Sequence, residues 1–556
     1  MKWIEMTFSF VEKSKYNHLR NAVANSEAIH FAGIPDNLIE EEKSLKANIA
    51  FYEKQLFNAE NNEYIDTTKI NYNQNKLFAK KRAYEALIEN LEKNYPDYYQ
   101  MKYDTRVVKV HEIQNELLDE NTAMIEYFVG DSTIYVFKIT KDTMEIFDIK
   151  RDFPLDNWVE YMRCGIYGFQ ELTDNEQVAL VDTVKRNSYY SDYTNYGYKI
   201  YETLLAPVLS NNSLKGENLI IIPDGTLHYV PFEALLTDSV QTENVGKFKN
   251  YHYLVEKHQI SYAFSATMLH RMKNRKKMKE SNNEILAFAA EFKNQPKIEP
   301  VENDTSAEEQ VASLENLTKF NPWEDKLMSA LHPINTKDHA NFINEGFRAA
   351  VFSGPSATYE NFLRHCSDYT IIDLFTHGHV NDTTPQFSNI AFEGGCDTCQ
   401  NKFLYVKDLY NMDLNADLAV LAACNSGKGR IHHGEGMASV SRGFAYAGVN
   451  TLIASLWSIA DKPTVDLFQE FYNHLADDET VDAALRQAKL EFINDPKDER
   501  FANPFYWAGP VAMGEMKTVT LRRNHSHWAF SLGGIACLLL IMGIIHAKDT
   551  TARKAA

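Results

Sequence analysis

The stretch Val420–Gly436, VLAACNSGKGRIHHGEG, carries an apolar run into one cysteine, Cys424, and then breaks into small and glycine residues. Upstream, YTIIDLFTHGHV has the same shape and ends its apolar run at His377-Gly378. A thiolate is a strong nucleophile, and an imidazole lowers a thiol's pKa or accepts its proton. Two such residues that each follow a buried parallel strand lie beyond the carboxyl ends of those strands, where open α/β sheets place their ligands. Gly378 lets a substrate backbone approach closely, and its N–H with that of Cys424 makes a candidate oxyanion hole. Small Ala422, Ala423 and Ser426 leave room for a peptide. Plainer roles remain open on these residues alone. A cysteine after a strand also serves as a small buried hydrophobe, and a His-Gly pair as a turn.

The elements that must position this pair alternate along residues 284–515. TIIDLF, ADLAVLAAC, TLIASLW and GPVAMG read as strands, with helices near 434–448, 463–476 and 480–494. That alternation predicts a mostly parallel sheet. Residues 106–270 form an earlier α/β unit. AMIEYFV, Gly130-Asp131 and TIYVFKIT predict a β-hairpin, TMEIFDI a third strand, and 190–207 a helix. Leu219–Ile222 is apolar on both faces, as in a covered parallel strand, and Pro223-Asp224-Gly225 turns the chain. Residues 1–105 read as helical. Leu38, Leu45, Ile49, Tyr52 and Leu56 form one stripe and Leu77, Tyr84, Ile88, Leu91 and Tyr95 another, joined by an Asn-rich turn near 61–75. This predicts an antiparallel helical hairpin ended at Tyr95-Pro96. The run RMKNRKKMKE, 271–280, reads as a solvated helix end or a cleavage site, and 293–325 as a surface loop or linker.

The 556 residues suggest three or four domains. With 57 basic and 76 acidic residues, net −19, the balance argues against a protein that binds nucleic acid as a whole. The six cysteines show no small-domain disulfide framework and the N-terminus no signal peptide, which favours a reducing cytoplasm. Trp528–His546 is 19 residues without a formal charge. A bilayer span takes roughly 20 apolar residues, so a single-pass C-terminal anchor is expected, with the other domains cytoplasmic. Arg522 and Arg523 before it and Lys548, Arg553 and Lys554 after it leave the orientation rule undecided. Cys396-x-x-Cys399 is half of a zinc site that Cys366 and His365 would extend, a redox-labile thiol pair, or a plain loop. His432-His433 forms a wall of the site or mere surface.

LFTHGHV, ADLAVLAACNSGKGRIHHGEGMASVSRGFAYAGVNTLIASLWSIADKPT and NPFYWAGPVAMG closely resemble the CHAT family, caspase-like cysteine peptidases of clan CD related to separase. GPSATYENFLRHCSDYTIIDLFTHG and ENLIIIPDGTLHYVPFEALL extend the resemblance over roughly 110–515. FVEKSKYNHLRNAV and FAGIPDNLIEEEKSL resemble the end of the tetratricopeptide array that commonly precedes such domains. The resemblance implies an α/β fold with a caspase-like, mostly parallel sheet flanked by helices. Residues 106–270 would be a degenerate caspase-like half before the active one. It implies a dyad of His377 and Cys424 that hydrolyses peptide bonds through a thioacyl intermediate, with no metal or organic cofactor. The histidine lies about 50 residues before the cysteine, as in caspases, without the local caspase signature. In caspase-like folds the strand after the nucleophile's helix lines the primary pocket, here with Ser455, Trp457 and Asp461. A carboxylate there suits a basic residue before the cut. Asp461 also stands where it would cap a helix before Lys462-Pro463. INTKDHANFI departs from the Glu-rich helix start of relatives. The expected partners are a protein substrate, a regulatory protein on the helical region and a membrane through the C-terminal helix, with no nucleic acid. The alternative is a catalytically silent caspase-like scaffold.

Overall fold

The structure is a computed structural model. It describes residues 2–15, 34–60, 67–96, 98–99, 106–173, 182–210, 218–275, 283–293, 328, 331, 334–381, 383–393, 402–423, 431–432, 436–437, 440–457, 461–495 and 499–524. The N-terminal segment forms helices α1 (Lys2–Ser14), α2 (Asp36–Glu60) and α3 (Thr67–Asn94). α2 and α3 close on a cluster of Leu45, Leu87, Leu91 and Tyr98; of these only Leu45 and Leu91 belong to the apolar stripes, whose Leu38, Tyr84, Ile88 and Tyr95 pack against it. α3 begins at Thr67, inside the stretch read as a turn, so the Asn-rich residues from 67 onward are helical and Asn73 is buried.

The hairpin β1 (Thr122–Val129) and β2 (Thr133–Ile139) pairs Val129 with Ile134 around Gly130, followed by β3 (Met144–Lys150). Two helices unread in the sequence beyond residues 190–207 then pack together, α4 (Leu155–Thr173) and α5 (Asp182–Leu204). β4 (Asn218–Ile222) and β5 (Gln259–Tyr262) follow, with Gly225 at φ 54° making the turn after β4. Helix α6 (Ala266–Asn274) leads to β6 (Asn283–Ala289). Its first amides, Ala266 and Thr267, donate to the Glu12 carboxylate of α1 at 3.0 and 2.7 Å. Helix α7 (Lys337–Gly346) precedes β7 (Ala349–Ser353), and α8 (Tyr359–His365) precedes β8 (Tyr369–Thr376).

β9 (Gly378–His379), β10 (Asn389–Ala391) and β11 (Phe403–Tyr405) form a small antiparallel sheet in the order β11-β10-β9. β12 (Leu418–Ala423) is followed by β13 (Ile431–His432) and β14 (Gly436–Met437), which pair with each other, and then by helix α9 (Val440–Tyr446). That helix begins later than 434 because Gly436–Met437 is spent on the ribbon. β15 (Thr451–Ser455), α10 (Asp461–Leu475), α11 (Val481–Asn494) and β16 (Pro510–Gly514) complete the unit.

Among the described residues one large sheet runs through both α/β units, in the order β3-β2-β1-β4-β5-β16-β15-β12-β8-β6-β7. β15, β12, β8, β6 and β7 are parallel, and so are β1, β4, β5 and β16. The two runs meet antiparallel at β15 and β16. The sheet is therefore mixed, mostly parallel within each half, with the halves pointing in opposite directions. Both faces are covered at the central strands β12 and β15, while the edge strands β3 and β7 are partly exposed. Alternate residues of β1 divide between two cores: Ala123, Ile125 and Tyr127 join the main one, while Met124 packs with Phe8 and Val11 of α1.

The single-pass membrane location does not stand. Among the described residues no helix is long and apolar enough to cross a membrane. α3 has the length at 28 residues, but charges such as Lys76, Lys80, Lys81, Arg82, Glu85 and Glu89 along it bar it from hydrocarbon. The segment 528–546 itself lies outside the described residues.

Candidate functional site

The site is built on three neighbouring strand ends. β8 and β12 are aligned so that Thr376 lies opposite Ala423, and β12 and β15 so that Leu421 lies opposite Ala454. All three strands are parallel, which brings their carboxyl ends to one edge of the sheet. Apolar residues buried on both faces fix this arrangement. All six positions of β12 and all five of β15 are buried. His377 follows β8 directly and is 6% exposed. Its C=O accepts the Ala391 N–H at 2.9 Å, and the Thr376 hydroxyl donates to the Ala391 C=O at 2.7 Å. Gly378 then opens β9 opposite Ile390. The corner at His377-Gly378 is thus pinned where the chain passes from the large sheet to the small one. The Phe292 ring lies against the imidazole with centroids 5.0 Å apart.

Cys424, the partner expected of His377, lies outside the described residues, as do Cys396, Cys399, Ser426 and His433. Ser455 ends β15, is 1% exposed and donates its hydroxyl to the Trp457 C=O at 2.8 Å. The Trp457 ring is also buried, and its Nε1–H donates to the Phe505 C=O at 3.0 Å. Asp461 is the first residue of α10. Cys366, a possible ligand beside Cys396 and Cys399, is buried at the end of α8, and burial pushes its thiol up to about 11. That suits an inert core cysteine. His365 stacks on Phe352 with centroids 5.4 Å apart.

A second polar group lies under the same strand and was not found from sequence. Asp373, fully buried in the middle of β8, accepts from His339 Nε2 of α7 at 2.9 Å and from the Tyr472 hydroxyl of α10 at 2.6 Å. Burial first, then the adjacent Asp373 charge, holds the Tyr472 hydroxyl far above its ordinary range, so it stays a donor. The three residues tie two helices to the strand that delivers His377. The one sequence signal for this was an aspartate inside an apolar strand.

α2 packs on residues that flank the small sheet and on Tyr405 at the end of β11. Phe57 stacks on Phe387 at a centroid distance of 3.7 Å and 13°. The Lys407 ammonium donates to the Ala50 C=O at 2.9 Å and lies 4.5 Å from the Phe387 centroid. Lys54 sits 4.8 Å from the Tyr405 centroid. The N-terminal hairpin therefore touches the sheet whose β9 begins at Gly378.

Comparison with known proteins gives the context. The CHAT domain family matches residues 194–515, more than half of the chain. Tetratricopeptide repeat protein 28 of Mus musculus is 24% identical over 340 residues, which cover 57% of this chain and 13% of that protein. The Homo sapiens protein of the same name gives the same identity and coverage. The chain thus matches only 13% of the length of these relatives. Two crystal structures of the Saccharomyces cerevisiae separase–securin complex are distantly similar at 10% identity. One has a TM-score of 0.44, covering 76% of this chain and 31% of that one. The other has a TM-score of 0.40, covering 81% and 34%. The assignment rests on the domain match rather than on these distant likenesses: the chain belongs to the CHAT domain family.

Proposed function

We propose that this chain is a cysteine endopeptidase in which His377 and Cys424 hydrolyse a peptide bond of a protein substrate. The observation that carries the reading is the Thr376–Ala423 register. His377 and Cys424 each follow one of these two opposed residues in the sequence. The Cys424 thiolate attacks the scissile carbonyl carbon, and the oxyanion accepts from the N–H groups of Gly378 and Cys424. His377 gives its proton to the departing amine as the C–N bond breaks, leaving a thioester. It then takes a proton from the water that hydrolyses the thioester. Such proton transfer is worth roughly 10²–10⁴-fold. The reaction as written needs neither a metal nor an organic cofactor. Residues 106–270 stand as a degenerate caspase-like half beside the active one.

Ser455, Trp457 and Asp461 are proposed to line the primary pocket, with Asp461 selecting Lys or Arg before the cut. A regulatory protein that binds α2 and α3 would act through the Phe57–Phe387 and Lys407–Ala50 contacts, which flank the sheet containing Gly378.

A catalytically silent scaffold is the second reading. What favours it is that Ser455 and Trp457 are buried and turn their polar hydrogens onto main-chain carbonyls of the protein itself. The experiment that separates the two is covalent labelling of the 556-residue chain with a peptidyl acyloxymethyl ketone library, read by peptide mass spectrometry. Modification confined to Cys424 and lost in His377→Ala is the expected result, and the preferred peptide reports the residue before the cut. A folded protein that leaves Cys424 unmodified, with and without cell lysate, sinks the peptidase reading. Asp461→Ala should weaken labelling by basic peptides alone; an unchanged profile returns Asp461 to the helix cap.

A further inference from the structure

We propose that Phe292 and Glu393 are positioning residues that orient the His377 imidazole. Its consequence for catalysis rests on the dyad reading above; its geometry does not. Phe292, just past the end of β6, has φ 54°, in the left-handed region that a bulky side chain seldom adopts. Such conformations persist where the surroundings over-determine them, and they gather at working sites. Here one carboxylate oxygen holds two consecutive amides, and the Glu291 C=O accepts the Ile334 N–H at 3.1 Å. Oε1 of Glu393 accepts the Glu291 N–H at 2.8 Å and the Phe292 N–H at 2.5 Å.

The conformation so held lays the Phe292 ring on the imidazole at 5.0 Å and 45°, within the range of a favourable aromatic pair. Both residues are nearly inaccessible, at 1% and 6% exposure. The segment that ends in Glu393 also holds the histidine's main chain, through the Ala391 N–H to the His377 C=O at 2.9 Å. Glu393 is itself anchored, its N–H donating to the Ala357 C=O at 2.9 Å. One short stretch, Ala391–Glu393, thus grips the histidine backbone and sets the ring that limits rotation of its imidazole. A phenylalanine that merely filled the core would need neither a left-handed backbone nor a carboxylate on two consecutive amides. A proton shuttle needs such restraint, because a misplacement of about 1 Å can cost ~10²-fold in rate.

The test uses the full chain, labelled with ¹⁵N-histidine. The His377 imidazole signals are assigned by their loss in His377→Ala, and alkylation of Cys424 by iodoacetamide is timed by mass spectrometry. Phe292→Gly removes the ring and relieves the backbone. Glu393→Ala removes the acceptor, and Glu393→Gln keeps one. Phe292→Gly and Glu393→Ala should each shift the His377 signals and slow His377-dependent alkylation about tenfold, with Glu393→Gln within about twofold of the parent. His377 signals and alkylation unchanged in Phe292→Gly overturn the inference. If Phe292→Gly fails to fold, Phe292→Leu keeps the bulk without the ring and is read the same way. Equal alkylation in the parent and in His377→Ala would sink the dyad reading instead, and the imidazole signals would still decide the positioning.

Discussion

Lys489 of α11 is fully buried, and its ammonium lies 2.9 Å from Oε1 of Glu233, which is also buried. The other carboxylate oxygen accepts the Tyr262 hydroxyl at the end of β5, and that hydroxyl in turn accepts the Phe232 N–H at 2.8 Å. Burial acts to strip the proton from Lys489, and Glu233 opposes it. Replacing Lys489 with methionine keeps most of the volume and removes the cation, leaving the Glu233 carboxyl in the core without its charge partner and with the Tyr262 hydroxyl as a donor. Breaking a buried pair from one side costs about 3–5 kcal/mol. The double variant Lys489→Met/Glu233→Gln leaves a neutral amide that can still accept from Tyr262, so most of that loss should return. The assay is urea unfolding followed by far-UV circular dichroism, with the midpoint converted through the slope. A loss below ~1 kcal/mol in Lys489→Met, or a double variant no more stable than the single one, would refute the claim that the pair compensates itself. A midpoint shift accompanied by an altered slope would point to a changed unfolded ensemble instead.

Other outcomes can be stated briefly. Phe57→Ala should release α2 from the small sheet, read as faster amide hydrogen exchange at Phe387, Tyr405 and Gly378 while β12 and β15 stay protected. The Glu479 and Glu491 carboxylates lie 3.2 and 3.0 Å from Nδ1 and Nε2 of His474 and accept from the protonated ring. Burial acts to lower its pKa, but the two carboxylates outweigh that and raise it. A raised folded-state value means that this stabilisation is complete below about 6.5, the ordinary histidine value, and is lost as pH rises through the folded one. The stability difference between the parent and His474→Gln should therefore shrink from pH 6 toward pH 9, and a flat difference would contradict it. Gly165 of α4 lies so close to α5 that a methyl group there would sit 2.5 Å from the Tyr189 C=O oxygen and the Tyr193 nitrogen. Gly165→Ala should cost about 1–3 kcal/mol, checked as a lowered thermal midpoint.

Much of the scaffold under the site can be read in short patterns. β4, β8, β12 and β15 are apolar runs between turn residues, and α10 and α11 carry the helical period. β7 was missed because Ala349–Phe352 is only half-buried at the edge of the sheet, where the pressure for an apolar pattern is weak. The reversal at β16 is not visible locally, because a strand's sense depends on a partner, and β5 lies far away in sequence. Sequence patterns drew two α/β units; hydrogen bonding joins them in one sheet. The residues of the proposed dyad stand out by type and position, and His377 has a defined place while Cys424 falls outside the described residues. Phe292 and Glu393 gave no signal, since a left-handed φ and a carboxylate about a hundred residues away are properties of contact and not of composition. The same holds for His339, Asp373 and Tyr472, which come from three separate elements.

The place of β16 between β5 and β15 also bears on how the chain is made. β5 is complete at Tyr262, but the strand that covers its open edge begins only at Pro510. At about 5–20 residues per second, a ribosome leaves that edge uncovered for roughly ten to fifty seconds. Unpaired strand edges invite pairing with other chains. Synthesis thus passes through a vulnerable interval that ends only when β16 arrives and locks the earlier half to the later one.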